Sequence, residues 1–213
     1  MQIAILIYPR FTALDAIGPY EVLSRLPDAK VTFVAEHATP QRTDTGQLAV
    51  VADATLDELP NPDIVLVPGG PGQAALMDDA PLHDWLRVAH ETSTWTASVC
   101  TGSLVLAAAG LLDGKRATSN WQAIEQLRAL GADALEERVV FDGKLATSAG
   151  VTAGIDMALE LAAKIAGPEL AQAIQLGLEY DPHPPFDAGS PHKAPAEIVE
   201  AVRAHSRFAE QAA

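Results

Sequence analysis

The chain has 213 residues, of which 48% are hydrophobic, and a formal net charge of -14 at pH 7. This length and hydrophobic content allow a substantial buried core without disulfides or metals, so the composition predicts a globular protein rather than a disordered one. The charge argues against nucleic acid as a partner, because phosphate binding needs a basic face. Its simpler role is to keep the protein soluble.

The sequence shows no sign of export or of membrane insertion. Residues 1–8 lack the basic start and the long apolar stretch of a signal peptide. The uncharged stretch 95–112 approaches the length of a membrane span, but its Thr, Ser and Gly residues favour a strand, a turn and a helix. We therefore expect no membrane partner and a cytoplasmic location, where the single thiol, Cys100, would stay reduced.

Short apolar runs alternate with helical patterns along the chain. This order predicts an α/β fold, a three-layer α/β/α sandwich with a mostly parallel central sheet. We expect strands at 2–8, 31–35, 63–67 and 94–99, and a hairpin over 139–146 that turns at Asp142-Gly143. We expect helices at 19–26, 81–91, 104–112, 121–130, 152–166 and 168–178, the first of them beginning at Pro19.

The composition changes near residue 181. Residues 181–195 are rich in Pro, Asp and Gly, which favours extended and irregular chain. Neither an internal repeat nor a dividing linker is visible. The prediction is a single domain over 1–213, in which 181–213 form a C-terminal extension that wraps the surface.

Cys100 is the only cysteine, so it cannot form an intramolecular disulfide or supply the ligands of a structural zinc site. It lies between a strand-like run and a helix-like run, where the N–H groups of a helix N-terminus would favour a thiolate. Such a cysteine can be a buried space-filler, a redox-sensitive thiol or a nucleophile. Its position favours the nucleophile. Thr101 follows it, either as an ordinary first-turn residue or as part of the site.

Two other segments are expected at the same edge of the sheet, because the carboxyl ends of parallel strands converge there. Asp15 follows the first strand, as a turn residue or as an acid–base partner of Cys100. Gly69 and Gly70 follow the third strand, as a sharp turn or as a source of backbone N–H groups that stabilise negative charge. None of the six histidines falls at a strand end, so the sequence does not support a Cys-His triad.

The residues around these positions resemble the ThiJ/PfpI superfamily, whose flavodoxin-like fold is shared with class I glutamine amidotransferases. The shared pattern comprises Pro68-Gly69-Gly70, the strand-Cys100-helix elbow and the acidic residue four positions before Pro19. Within the superfamily, the chain is most similar to the isonitrile (isocyanide) hydratases over nearly its whole length. The more particular matches lie in 150–156 and 178–191.

The resemblance implies that Cys100 is a nucleophile-elbow cysteine that attacks the terminal carbon of an isocyanide substrate and forms a thioimidate. Asp15 would be the general acid–base, and Thr101 would hydrogen-bond within the site. Gly70 would direct a backbone N–H into a charge-stabilising pocket, and Val151 would face the same region. The product would be an N-substituted formamide. The resemblance also implies a homodimer.

Asn120 stands where many superfamily members carry a histidine, and this argues against a protease, an amidotransferase or a deglycase. Two alternatives remain: a cysteine-based redox or ligand sensor, and a glyoxalase-like activity. No dinucleotide-binding or phosphate-binding glycine motif is present, and no His, Cys or carboxylate cluster has metal-ligand spacing. We expect no cofactor and no metal.

Overall fold

A computed structural model describes residues 1–206 as an α/β fold with a mostly parallel central sheet. The strands are β1 Gln2–Leu6, β2 Lys30–Ala35, β3 Pro40–Arg42, β4 Ala49–Val51, β5 Ala54–Thr55, β6 Ile64–Val67, β7 Trp95–Val99, β8 Arg116–Ala117, β9 Asp133–Ala134, β10 Val139–Asp142 and β11 Leu145–Ser148. The helices are α1 Ala13–Leu23, α2 Ala80–Thr92, α3 Gly102–Ala108, α4 Ile124–Ala129, α5 Ala153–Ala166, α6 Pro168–Gly177 and α7 Ala196–Ala204.

Seven strands form the central sheet in the order β10-β11-β7-β6-β1-β2-β5. All neighbouring pairs in it are parallel except β10 with β11, which form the predicted antiparallel hairpin. The five inner strands, β2-β1-β6-β7-β11, have the order of a flavodoxin-like fold. In such a sheet the strand order reverses between β1 and β6, and a ligand crevice opens outside the carboxyl ends of the strands there.

The core lies between the sheet and two groups of helices. Strands β1 and β6 are apolar runs with almost no exposed side chain, as expected for strands covered on both faces. Helix α5 packs against α1 and α6, while α3 packs against α2 and α4. The three-layer arrangement predicted from the alternating pattern is therefore confirmed.

The first helix differs from the prediction. It begins at Ala13 rather than at Pro19, so Pro19 lies inside it. Its N-terminal turn carries Asp15, which the sequence reading had placed in a loop. Pro at the first helical position is a common start signal, but here the helix runs through Pro19, a position at which proline removes a backbone hydrogen bond.

The C-terminal part runs irregularly from residue 181 to 195 and then forms α7, a helix that the sequence analysis did not predict. The single-domain assignment remains a prediction, and residues 207–213 of the proposed extension lie outside the described part of the chain. Within residues 1–206, none of the helices combines the length and the apolar character needed to span a bilayer.

Candidate active site

Cys100 occupies a sharp turn between β7 and α3. Its φ of 56° lies in the left-handed region, which a residue with a side chain rarely adopts. The backbone N–H of Cys100 donates to the carbonyl oxygens of Ser148 (3.0 Å) and Ala149 (2.9 Å). The Cys100 carbonyl accepts from the hydroxyls of Ser119 (2.9 Å) and Ser103 (3.2 Å). These contacts hold the strained turn in place, as is typical of a nucleophile elbow.

Close packing around the turn requires glycine. A Cβ at Gly102, the residue that begins α3, would lie 2.0 Å from the carbonyl oxygen of Val67. A Cβ at Gly69 would lie 2.5 Å from the backbone nitrogen of Thr101. The ends of β6 and β7 can therefore approach each other only because both positions lack a side chain.

Asp15 is fully buried in the first turn of α1. Its Oδ2 accepts a hydrogen bond from the backbone N–H of Gly69 at 2.9 Å. Its Oδ1 is buried and has no nitrogen or oxygen partner among residues 1–206, and the carboxyl also hydrogen-bonds the side chain of Cys100. The structure thus brings Asp15 and Cys100 together across 85 residues of sequence.

Burial raises the pKa of Asp15 from its ordinary 3.8 to about 7, because removal from water disfavours the carboxylate. The hydrogen bonds from Gly69 and with Cys100 act in the opposite direction, and the nearby negative charge of Asp44 raises the pKa further. A carboxyl group with a pKa near 7 can both give and take a proton at neutral pH. This is the property that an acid–base group needs.

The two N–H groups of the Gly69-Gly70 turn already have partners. Gly69 donates to Asp15, and Gly70 donates to the side-chain oxygen of Thr101 at 3.1 Å. The turn therefore positions the acid and the threonine hydroxyl. Gly70 has a φ of 135°, which only glycine adopts readily, and this conformation turns its N–H toward Thr101.

Asn120 and Val151 lie on a neighbouring cavity of about 450 Å³, which we call the side cavity. Asn120 caps the short 3₁₀ turn Trp121–Ala123 by accepting a hydrogen bond from the N–H of Gln122 at 3.0 Å. The side cavity is bordered by residues of the segments 118–124, 136–138, 149–152 and 189–192. The sequence analysis singled out Asn120 in the first of these segments and Val151 in the third, and it named no site residue in the other two.

The histidines do not complete a triad with Cys100 in the described structure. His83 is buried in α2, with its Nε2 2.8 Å from the carbonyl oxygen of Leu76. His90 interacts with the hydroxyl of Thr96. His192 lies on the side cavity, and sequence reasoning missed it because an irregular segment carries no periodic signal. Asp15 is thus the titratable group that faces the thiol.

The site combines three parallel strand ends with a strained cysteine elbow and a buried acid, and this combination defines a class of protein. The sequence profile of the DJ-1/PfpI family matches residues 1–164, and the chain belongs to this family. It is 46% identical over 203 residues to an isonitrile hydratase of Pseudomonas putida, an alignment that covers 95% of this chain and 89% of that protein.

Solved structures agree with this assignment. A ThiJ/PfpI family protein from Pseudomonas syringae superimposes with a TM-score of 0.91 at 40% identity, covering 94% of this chain and 84% of the other. DJ-1beta from Drosophila melanogaster superimposes with a TM-score of 0.76 at 26% identity, covering 84% of this chain and 97% of the other. The resemblance to the isonitrile hydratases and the expected fold are thereby confirmed.

Proposed function

We propose that the protein is an isonitrile hydratase, which adds water to an isocyanide and releases an N-substituted formamide. The observation that carries the proposal is the buried Asp15 carboxyl, with a pKa of about 7, hydrogen-bonded to the side chain of Cys100. The 46% identity to the Pseudomonas putida isonitrile hydratase supports the choice of substrate class. A pair of this kind supplies a nucleophile and a proton carrier without a metal or a cofactor.

In the first half of the reaction, the sulfur of Cys100 forms a bond to the terminal carbon of the isocyanide. The proton shared by the thiol and the Asp15 carboxyl ends on that carbon, which gives a thioimidate, R–N=CH–S–Cys100. Asp15 is then a carboxylate. Its burial makes this charged form costly, so the carboxylate is ready to take a proton again.

In the second half, Asp15 takes a proton from water while the water oxygen bonds to the thioimidate carbon. The same proton passes from Asp15 to the substrate nitrogen, which gives R–NH–CH(OH)–S–Cys100. The resulting tetrahedral species collapses when the C–S bond breaks, and R–NH–CHO leaves. The sulfur departs as a thiolate, and the hydroxyl proton of the tetrahedral species returns to the Asp15 and Cys100 pair. Water is consumed and the enzyme is unchanged, so the atoms balance.

The hydroxyl of Thr101 and the N–H groups of Gly69 and Gly70 act in this proposal by positioning. Gly69 fixes one carboxyl oxygen of Asp15, which leaves Oδ1 directed to the reacting atoms. Gly70 fixes the side chain of Thr101, the residue directly after the nucleophile. Fixed donors of this kind reduce the reorganisation that each proton transfer needs.

The test is formamide production from para-nitrophenyl isocyanide by the wild type and by two variants, Cys100→Ala and Asp15→Asn. We expect Cys100→Ala to abolish turnover and Asp15→Asn to lower kcat by about 100-fold or more, since acid–base groups contribute on this order. Asp53→Asn, an exposed carboxyl beside the edge strand β5, is the matched control and should behave like the wild type. Turnover by folded Cys100→Ala would refute the covalent mechanism.

A further inference from the structure

The side cavity adjoins the backbone of the cysteine elbow, although Cys100 itself is not among the residues that line it. Ser119, on its wall, donates to the carbonyl of Cys100 at 2.9 Å, and Ala149, also on its wall, accepts from the N–H of Cys100 at 2.9 Å. Two wall residues thus contact the backbone of the elbow directly.

One part of the wall suits an apolar group, although polar side chains such as Asn120 and Glu137 also line the cavity. Trp121, Ile124, Val151 and Pro191 present hydrocarbon surface, and each of these side chains is buried or half-buried. The guanidinium of Arg138 also lies on the wall, but it is neutralised by an ion pair with Asp156. The volume falls within the range of about 300–1,000 Å³ that is usual for small-molecule sites. The cavity therefore fits a neutral hydrocarbon substituent several atoms in size.

The outer wall of the side cavity comes from the irregular C-terminal segment, through residues 189–192. His192 bridges this segment to the opposite wall, with its Nε2 3.1 Å from Oε2 of Glu136. The two side chains are 74% and 57% exposed, so the contact is screened by water and is weak. It can adjust the position of the outer wall without determining the fold.

On the basis of the proposed function, we propose that the side cavity binds the N-substituent of the isocyanide. His192, through its contact with Glu136, is then a positioning residue that sets which substituents are accepted. A cyclohexyl substituent has far more hydrocarbon surface to place against the outer wall than a methyl substituent has. Loss of the His192 contact should therefore weaken the binding of the large substrate more than that of the small one.

The experiment compares methyl isocyanide with cyclohexyl isocyanide by following formamide formation with NMR. For His192→Ala we expect the ratio of kcat/KM for cyclohexyl over methyl to fall about three- to fivefold, the size expected for a weak, solvent-exposed contact. The change should lie in KM rather than in kcat. His192→Gln keeps an N–H donor toward Glu136 and should restore the ratio. His183→Ala, an exposed histidine of the same segment that does not line the cavity, is the matched control.

A double-mutant cycle tests whether the two residues act together. Glu136→Ala should lower the ratio as much as His192→Ala, and the double variant should lower it no further. A second readout avoids the chemistry: in the Cys100→Ala background, His192→Ala should weaken the binding of cyclohexyl isocyanide in calorimetry about three- to fivefold.

Two negative outcomes are distinguishable. If the wild type hydrates both isocyanides and the ratio is the same in all variants, the inference about His192 is overturned and the proposed function stands. Additive effects of His192→Ala and Glu136→Ala would equally overturn the shared contact. If the wild type hydrates neither isocyanide, the proposed function itself fails.

Discussion

Asp44 contributes to the site without touching the reacting atoms. It lies in the turn between β3 and β4, and its Oδ2 accepts a hydrogen bond from the hydroxyl of Thr12 at 2.9 Å. Thr12 is the N-cap residue of α1, and its carbonyl accepts from the N–H of Asp15. The negative charge of Asp44 raises the pKa of Asp15. A second carboxylate therefore helps to keep the buried acid protonated at neutral pH.

Asp44→Asn should shift the pH dependence of kcat/KM to lower pH. The substitution removes a like charge and keeps an oxygen for Thr12, so the pKa of Asp15 should fall from about 7. The inflection of the pH–rate profile belongs to the coupled Asp15 and Cys100 pair. It should move by less than about one pH unit, because the carboxylate of Asp44 does not contact that of Asp15. A pH–rate profile measures it. Thr12→Val, which removes the hydrogen bond and keeps the charge, is the control, and an equal shift there would contradict the electrostatic explanation.

At the scale of the element, the elbow between β7 and α3 stores strain. Cys100 has a left-handed backbone that costs about 1–2 kcal/mol for a residue with a Cβ. The cost is tolerated because the backbone N–H and carbonyl of Cys100 together make four hydrogen bonds. A site that places its nucleophile on such a turn exposes the side chain at the end of the strand, at the expense of stability.

Replacing the cysteine should reveal that strain. Of two inactive variants, Cys100→Gly should be more stable than Cys100→Ala by about 1 kcal/mol, since glycine adopts the left-handed conformation without steric cost. Urea denaturation measures the free energy of unfolding of each. Ala97→Gly, in the regular part of β7, is the control, because glycine is unfavourable in a regular strand. This variant should have a free energy of unfolding about 1 kcal/mol lower than that of the wild type. Equal stabilities of the two Cys100 variants would show that the turn is not strained.

The parallel strands were predictable because strands that are buried on both faces have continuous apolar sequences. Their carboxyl ends then placed Asp15, Gly69 and Cys100 at one edge. The sequence analysis missed β3, β4, β5, β8 and β9, since segments of two or three residues leave too little alternation to detect. Helix boundaries failed where a local signal competed with packing, as Pro19 did within α1.

The outer wall of the side cavity was beyond sequence reasoning. His192 and Glu136 are exposed and separated by 56 residues, and neither belongs to a periodic pattern. Their meeting depends on the path of an irregular segment, which follows from tertiary packing rather than from local preference. The same holds for Asp44, whose influence on Asp15 is a long-range charge effect.

At the scale of the whole molecule, the buried acid costs stability when it ionises. The pKa of Asp15 is about 7 when folded and near 3.8 when exposed in the unfolded chain. Between these values the folded state binds more protons than the unfolded state, so the contribution of Asp15 makes the fold less stable as the pH rises from about 4 to 7. Above pH 7 the full cost is present.

Asp15→Asn removes that ionisation and should be more heat-stable than the wild type at pH 8. We expect a Tm higher by about 5 °C, and the difference should shrink as the pH is lowered toward 4. Scanning calorimetry at several pH values provides the measurement. Asp53→Asn again serves as the control, because its carboxyl is exposed. A difference that grows at low pH would contradict the raised pKa.

The homodimer implied by the family resemblance remains a prediction. Sedimentation velocity at micromolar concentration should give a species with the mass of two chains. Exposed apolar side chains in the C-terminal part offer surface that a second copy can cover: Leu176, Phe186, Ile198 and Val202. A species with the mass of one chain over the whole concentration range would contradict the prediction.

The contact between Gly69 and Asp15 joins residues 54 positions apart, and Cys100 meets Asp15 only when β1, β6 and β7 lie side by side. The Asp15 and Cys100 pair therefore does not form in a partly folded chain. During refolding, catalytic activity should return no earlier than the parallel sheet does, since closing such long loops is slow. The rate at which turnover returns then measures the last stage of folding. A folding intermediate that has helices but lacks these strand pairings should show no activity in the assay.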